Sequence, residues 1–244
     1  MRLNRFLALA GLGARRKCEE LIRDGRIEVN GQTVGSLAVE VNPEADRVLS
    51  DGERVRLPRV HLYAVLNKPK GLVVSSNDER GRATVYDILP ARMRAKLRAV
   101  GRLDRASEGL LLLTNDGVLA NALIHPRSSV PRTYLVWVTP PPDDGGLRRL
   151  RGGVALGGGE RSRPATVELL GVRGGIARLR LTLCEGKNRE VRRMFRAVGS
   201  RVATLRRIRL DGVELGALRP GQFRPLSRTE VLDLRRAAGL ETGG

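Results

Sequence analysis

One short stretch of the sequence holds the residues with the clearest chemical potential. GRLDRASEGLLLLTNDG runs from Gly101 to Gly117 and places Asp104 between Arg102 and Arg105, shortly before four leucines. The leucines predict a short buried strand, and the Asn-Asp-Gly that follows predicts a turn at its end. Asp104 therefore lies near the end of a core element and close to cations. It belongs either to a surface ion pair or to a reactive site on a rigid platform, and these residues alone leave both open.

Other reactive side chains give weaker signals. Glu108 could serve as a second carboxylate, although such a side chain is more often simply solvated. Ser107, His125 and Asp104 are the residue types of a hydrolase triad, but the Gly-x-Ser-x-Gly elbow of such enzymes does not occur. Two cysteines and two histidines, without Cys-x-x-Cys spacing, predict neither a disulfide framework nor a metal site. The glycine-rich stretch 153–159 lacks the Gly-Lys-Ser/Thr of a phosphate-binding loop.

The charge of the chain predicts a polyanionic partner. Its 244 residues include 45 lysines and arginines against 26 acidic residues, a net charge of +19. Residues 178–209 hold 11 basic and 2 acidic side chains, a net of +9, whereas residues 1–58 hold 10 and 9. We expect nucleic acid as the partner, with its backbone along the 178–209 segment. No apolar run approaches the roughly 18 residues of a membrane span, and no secretory leader is visible, which predicts a cytoplasmic protein.

The first 58 residues predict a separate unit of two helices and a β-hairpin. Apolar residues recur with helical spacing in two segments, and the Asn-Gly pair at 30–31 is a strong hairpin signal. Arg15, Arg16 and Lys17 fall in the first turn of the second helix, where the helix dipole disfavours cations. These three side chains are either simply solvated or bind phosphate groups, and we favour phosphate binding.

The rest of the chain predicts a mixed α+β domain. TYLVWVT and IARLRLTL alternate as strands, LYAVLNKPKGLVVS predicts a strand, a turn and a strand, and RIRLDGVELG predicts a hairpin. DILPARMRAKLRAV and REVRRMFRAVGS predict helices, and PPPDDGG predicts a loop. Short strands with few helices favour a mixed, mainly antiparallel sheet over a doubly wound one. We expect domains at 1–58 and 61–232 and a C-terminal tail at 233–244.

Four blocks of the chain resemble a known family. RLNRFLALAGLGARRKCEELIRDGRIEVNG is similar to the small RNA-binding domain first recognised in ribosomal small-subunit protein four. NKPKG, GRLDRASEGLLLLTNDG and EGKNREVRRMFRAVG resemble, in the same order, motifs of the RsuA/RluB group of ribosomal RNA pseudouridine synthases. NDERGRATVYDILP and the last block, with Glu190, resemble the large-subunit RluB type more than the small-subunit enzyme. Many relatives carry Thr at the position of Ser107, which also has a small hydroxyl.

The resemblance implies an enzyme that isomerises a uridine in ribosomal RNA without a cofactor or metal. The N1–C1′ bond is cut and the base is rejoined through C5, so no water needs activation and one carboxylate suffices where glycosidases use two. Asp104 is implied as that carboxylate, acting by covalent attack or by removing a sugar proton. Arg192, rather than Arg102 or Arg105, is implied as the cation that keeps it ionised. Tyr134 is implied to stack on the flipped uracil and to help remove the C5 proton.

Further polar residues of the matching blocks are expected to contact RNA. They are Arg2, Arg5, Arg15, Arg16, Lys17, Arg26, Asn30, Lys68, Arg102, Lys187, Asn188, Arg189 and Arg193. We expect a monomer that modifies one uridine of large-subunit ribosomal RNA. The alternatives are a small-subunit rRNA pseudouridine synthase, a DNA-binding regulator, and a non-catalytic RNA-binding factor of ribosome assembly. The last of these would need no combination of Asp104, Tyr134 and Arg192.

Overall fold

The chain folds into two units, each with its own apolar core. The computed structural model describes residues 1–58, 60–76, 78–125 and 128–240. The first unit consists of Met1–Leu62, Pro90–Arg98 and Thr114–Gly117, and the second unit consists of the rest of the chain. Two short segments beyond residue 58 thus belong to the first unit in addition to the expected domain. Among the helices in these described ranges, none is both long and apolar enough to cross a membrane.

The first unit contains the two helices and the hairpin that its sequence predicts. Its elements within Met1–Leu62 are α1 (Leu3–Leu9), α2 (Arg15–Arg23), β1 (Ile27–Val29), β2 (Gln32–Thr33), β3 (Val48–Ser50) and β4 (Glu53–Val55). The strands form an antiparallel sheet in the order β2-β1-β3-β4. Apolar residues on one face of each helix and on the strands form a single core. Asn30 has a positive φ of 52° and makes the hairpin turn with Gly31.

The second unit is built on one large sheet, which confirms the mixed α+β class. Along the chain the further strands are β5 (Tyr63–Lys68), β6 (Arg98–Ala99), β7 (Glu108–Thr114), β8 (Arg132–Thr139), β9 (Ala155–Gly157), β10 (Glu160–Arg161), β11 (Thr166–Arg173), β12 (Ile176–Leu183), β13 (Arg201–Leu210), β14 (Val213–Glu214) and β15 (Phe223–Pro225). The sheet order is β11-β12-β8-β13-β7-β5-β15, with β14 beside β13 and β6 beside β7, while β9 and β10 form a separate hairpin. β13 and β7 run parallel, and β11, β12, β8 and β13 are successively antiparallel.

In the part of the chain that the structure describes, five further helices follow α2. They are α3 (Ala91–Lys96), α4 (Gly117–Ile124), α5 (Asp144–Gly152), α6 (Glu190–Ala197) and α7 (Arg228–Ala237). The prediction of a C-terminal tail from residue 233 was wrong, because a domain boundary at residue 232 would cut through α7. A capping box of Ser227 and Glu230 begins this helix, and Leu234 is completely buried in the core of the second unit. Residues 241–244 of the expected tail lie outside the described residues.

Strand β7 lies near the middle of the sheet and carries the run of leucines. Leu110–Leu113 are completely buried, as predicted, because β7 lies between β13 and β5 and both of its faces are covered. Gly109 has a φ of +103°, and a Cβ at this position would lie 2.2 Å from the carbonyl oxygen of Arg207 on β13. Only glycine allows this close approach. It brings Arg207 against the beginning of β7.

The segment after the Lys68–Gly71 turn differs from its prediction as a strand. Val73 makes only an isolated bridge to Thr84. The turn pairs with another part of the chain instead: Gly71 N donates to the Arg105 carbonyl at 2.8 Å, and Arg105 Nε donates to the Gly71 carbonyl at 3.0 Å. These two bonds fix the turn against the loop that contains Asp104.

Candidate active site

Asp104 lies on a tight turn that leads directly into β7. Ser107 N donates to the Asp104 carbonyl at 2.9 Å and closes the turn. The Asp104 side chain is 41% exposed. It lines a cavity of about 180 Å³ and also borders a wider groove beside that cavity. The carboxylate is therefore within reach of a group that enters the cavity from the groove.

Two basic side chains hold the backbone of this turn. Arg192 Nη2 donates to the Ala106 carbonyl at 3.4 Å, and Lys68 Nζ donates to the Ser107 carbonyl at 2.7 Å. Burial lowers the pKa of Lys68 to about 8, and the nearby carboxylate of Asp104 opposes that shift. Because both carbonyls lie within three residues of Asp104, the carboxylate is attached to a fixed section of backbone.

Arg192 supplies the positive charge beside Asp104. Its Nε lies 3.9 Å from Oδ2 of Asp104, and its side chain is 15% exposed. Nη1 donates to the Val202 carbonyl at 3.1 Å, which holds the guanidinium in place. Burial lowers the pKa of Arg192, and the charge of Asp104 opposes the shift. In the part of the chain that the structure describes, Asp104 pairs with this arginine and not with its neighbours Arg102 or Arg105.

Tyr134 and Arg207 line the same cavity. Tyr134 on β8 pairs in register with Arg207 on β13, and both side chains are buried. Arg207 Nε donates to the Leu110 carbonyl at 2.7 Å. Burial lowers the pKa of Arg207, and the phenol of Tyr134 opposes that shift. Sequence reasoning missed Arg207, although a signal existed: consecutive arginines at 206 and 207 in an alternating strand must point to opposite faces.

A pair of carboxyl groups lines the cavity at the start of α6. Glu190 is buried, and its carboxyl accepts a hydrogen bond from Lys187 N at 3.0 Å. Burial, together with the hydrogen bond to Glu185, raises the pKa of Glu190 to about 8. Burial also acts to raise the pKa of Glu185, but hydrogen bonds from Glu190, Arg163 N and Lys187 outweigh it and lower that pKa to about 2. At neutral pH the pair is thus one carboxylic acid beside one carboxylate.

The structure brings the three expected catalytic residues together. Asp104, Tyr134 and Arg192 all line the cavity, and so do Arg102, Lys187 and Arg189. Asn188 borders the adjoining groove. Within the described residues, no cluster of His, Cys, Asp or Glu side chains is arranged to hold a metal ion.

Two residues expected to contact RNA make contacts within the protein. Lys68 is completely buried, so the prediction of an RNA contact was wrong: a side chain without exposed surface cannot reach a phosphate. Arg193 donates to the Leu156 carbonyl at 3.0 Å and pairs with Glu160. It thereby holds the β9–β10 hairpin, and little of its side chain remains exposed.

Three cations at the beginning of α2 are exposed, as their sequence predicts. Arg15, Arg16 and Lys17 occupy the first turn of the helix, which contains no acidic residue. Arg15 Nη2 donates to the Asn4 side chain at 3.4 Å. The charges of these residues are otherwise directed at solvent, which leaves them available to a polyanion.

The other predicted contacts of the first unit are partly engaged within the protein. Arg26 makes two hydrogen bonds to Asp51, at 2.9 and 2.6 Å. The Asn30 side chain donates to Asp46 at 2.9 Å and stabilises the hairpin. Arg2 lies 3.7 Å from Glu40, and Arg5 is half-buried. Their roles in RNA binding remain predictions.

Comparison with known proteins gives the geometry its context. Residues 62–197 match the family model described as RNA pseudouridylate synthase, and residues 1–48 match the S4 domain. The chain belongs to the RNA pseudouridylate synthase family. This membership confirms the family and the enzyme class that the motifs predicted. The protein is a pseudouridine synthase that acts on RNA, an isomerase with an S4 domain at its N-terminus.

Relatives of this pseudouridine synthase match over nearly the whole chain. An "Uncharacterized RNA pseudouridine synthase" of Mycobacterium bovis is 43% identical over 98% of this chain and 95% of its own. "Ribosomal large subunit pseudouridine synthase B" of Bacillus subtilis is 38% identical over 97% and 96%. A solved structure described as a crystal structure of pseudouridylate synthase has a TM-score of 0.71 and 32% identity, covering 96% of this chain and 99% of that one.

Proposed function

We propose that this enzyme converts one uridine of large-subunit ribosomal RNA to pseudouridine, with Asp104 as the reacting carboxylate. The observation that carries the proposal is the position of Asp104, 3.9 Å from Arg192 and on the wall of a cavity that Tyr134 also lines. The choice of RNA is supported by similarity to the Bacillus subtilis protein named for the large ribosomal subunit.

The cavity suits a single flipped base. Its volume of about 180 Å³ leaves no room for a strand, so the target uridine leaves its stack to enter. The N1–C1′ bond then breaks, a C5–C1′ bond forms, C5 loses a proton and N1 gains one. Asp104 acts at the sugar, either by covalent attack or by removing a sugar proton. The guanidinium of Arg192 places a positive charge beside the reacting carboxylate, with its Nε 3.9 Å from Oδ2 of Asp104.

The groove beside the cavity provides a path for the RNA backbone. Basic residues on its border are Arg82, Arg102, Arg105, Lys187 and Arg189. Phosphate contacts fix the position of the RNA but carry no sequence information. Selection of one uridine therefore comes from the shape of the RNA around the flipped base, as is usual for structured RNA.

Asp104→Asn tests the catalytic part of this proposal. With a large-subunit transcript labelled with tritium at uridine C5, the variant should release tritium at least ~10³-fold more slowly than wild type, since a reacting group has been removed. Its RNA affinity should stay close to that of wild type. Glu108→Gln is the matched control, because Glu108 is paired with Arg206 at 3.8 Å rather than with Arg192. Substantial turnover by Asp104→Asn would refute the role of Asp104.

A further inference from the structure

Arg207 is a buried arginine that lacks the partner such a residue normally has. It is 4% exposed, and its Nε donates to the Leu110 carbonyl at 2.7 Å, but its Nη2 makes no hydrogen bond with any residue that the structure describes. Its electrostatic neighbours are the Tyr134 phenol and a second cation, Arg132. Within the described part of the chain, no carboxylate pairs with it.

An unpaired buried cation is costly, so packing does not account for Arg207. Removing a charge from water without a compensating anion is strongly unfavourable. The neighbouring inward positions of β13 carry Leu205 and Leu210, both buried, and an apolar side chain at 207 would fill the same space. The charge of Arg207 must therefore have a function. A buried cation of an active site acts where negative charge forms during the reaction.

Three features of the backbone place this cation beside Tyr134. The β13–β8 register sets Arg207 directly opposite Tyr134, and the register shifts immediately after Arg207. Such irregularities re-aim a side chain next to active sites. On the other side, Gly109 lets β7 approach the Arg207 backbone closely, which also lets Leu110 accept the Nε hydrogen bond.

We propose that Arg207 is a positioning residue that acts through Tyr134: it orients the phenol group and stabilises negative charge on its oxygen. The inference rests on the proposed function, in which Tyr134 helps to remove the C5 proton. In that step the C5–H bond breaks and its electron pair restores the C5–C6 double bond. The phenol of Tyr134 first gives its proton to solvent, the phenolate oxygen then takes the C5 proton, and N1 takes a proton from solvent.

Three variants separate this role from a structural one. Arg207→Met removes the charge but keeps the bulk, and should slow single-turnover tritium release by about 10²-fold at saturating RNA. Its melting temperature should change little, because removing an unpaired buried charge offsets the loss of the Nε hydrogen bond to the Leu110 carbonyl. Arg207→Lys should recover part of the rate. The control Arg206→Met changes the adjacent, half-buried arginine that faces Glu108, and should leave the rate near that of wild type.

A double-mutant cycle with Tyr134→Phe decides whether Arg207 acts through the phenol. If it does, adding Arg207→Met to Tyr134→Phe should cause no further loss of the single-turnover rate. Losses that multiply, or a rate loss matched by a lower melting temperature and not recovered by Arg207→Lys, would overturn the proposal. Wild type is assayed in parallel: an inactive wild type on large-subunit RNA refutes the proposed function, whereas an active wild type with an equally active Arg207→Met refutes this inference alone.

Discussion

Two basic regions of the chain use arginine and lysine side chains in different ways. At the beginning of α2, Arg15, Arg16 and Lys17 are exposed on a turn whose dipole disfavours them. Around α6 and β13, several lysine and arginine side chains instead donate hydrogen bonds to backbone carbonyls. These bonds join Lys187 to Arg161, Arg192 to Ala106 and Val202, Arg193 to Leu156 and Gly157, and Arg207 to Leu110.

The comparison shows what net charge does and does not reveal. The net of +9 in residues 178–209 correctly indicated a polyanionic partner, but several of these cations donate to backbone carbonyls within the protein. A guanidinium that already donates to carbonyls has fewer donors left for phosphate. The smaller group of cations on α2 is therefore expected to contribute more to RNA affinity per residue, and the larger group more to building the site.

The largest expected effect is a difference in reaction rate between variants of two adjacent arginines of α6, Arg192 and Arg193. Arg192→Ala removes the cation beside Asp104 and should slow single-turnover tritium release by about 10² to 10³-fold. Arg193→Ala removes the residue that holds the β9–β10 hairpin, and should retain most of the rate while lowering the melting temperature. Equal losses of rate in the two variants would show that α6 is needed only for folding.

Removal of the α2 charges should weaken RNA binding without slowing the chemistry. The triple variant Arg15→Ala, Arg16→Ala and Lys17→Ala should reduce the log–log salt slope of RNA affinity by about 0.7 to 0.9 for each lost phosphate contact. Its rate at saturating RNA should equal that of wild type. Arg54→Ala is the control, because it removes an exposed cation of β4 that is not among the predicted RNA contacts. An unchanged slope in the triple variant would mean that α2 does not bind the RNA backbone.

Lys68→Met should affect folding and not RNA affinity. It leaves the buried carbonyls of Ser107 and Pro69 without their donor, so the free energy of unfolding should fall by about 2 kcal/mol. Denaturant unfolding measures this change, and salt titration of RNA binding should give the wild-type slope. A reduced slope would place Lys68 among the residues that contact phosphate and would contradict its burial.

The pH dependence of stability should depend on the buried carboxyl pair of Glu185 and Glu190. The folded pKa of Glu190 is raised to about 8 from 4.5, so the stabilisation by its protonated form is fully present below about pH 4.5 and is lost as the pH rises through about 8. The lowered pKa of Glu185, about 2, affects stability only below about pH 4.5. Glu190→Gln keeps a neutral hydrogen-bond donor, so its unfolding free energy should not fall between pH 5 and 8 as that of wild type does. Parallel curves for the two proteins would contradict the assignment.

Local patterns were enough to predict several parts of this molecule. Patterns of neighbouring residues predicted the buried strand β7, the alternating strand β12 and the helix α6. The motif around Asp104 predicted a site residue, and Asp104 lines the cavity. The capping box at Ser227 was an equally local signal of α7 that the prediction of a tail overlooked. These features follow from spacing along the chain.

Other parts depend on contacts between distant residues and could not be predicted. Lys68 bonds to a carbonyl 39 residues away, and Arg207 bonds to one 97 residues away. A lysine in a turn and an arginine in a basic strand each suggest exposure until the tertiary fold is known. The raised pKa of Glu190 likewise depends on burial beside Glu185.

The most direct test of the account is to map pseudouridine on two separate RNAs. Purified protein is incubated with large-subunit and small-subunit ribosomal RNA transcripts, and modified sites are located by reverse-transcription stops after carbodiimide treatment. We expect one new stop, in the large-subunit RNA, which is absent when Asp104→Asn replaces the wild type. Modification confined to the small-subunit RNA would contradict the proposed substrate, and a stop that persists with Asp104→Asn would contradict the proposed catalytic residue.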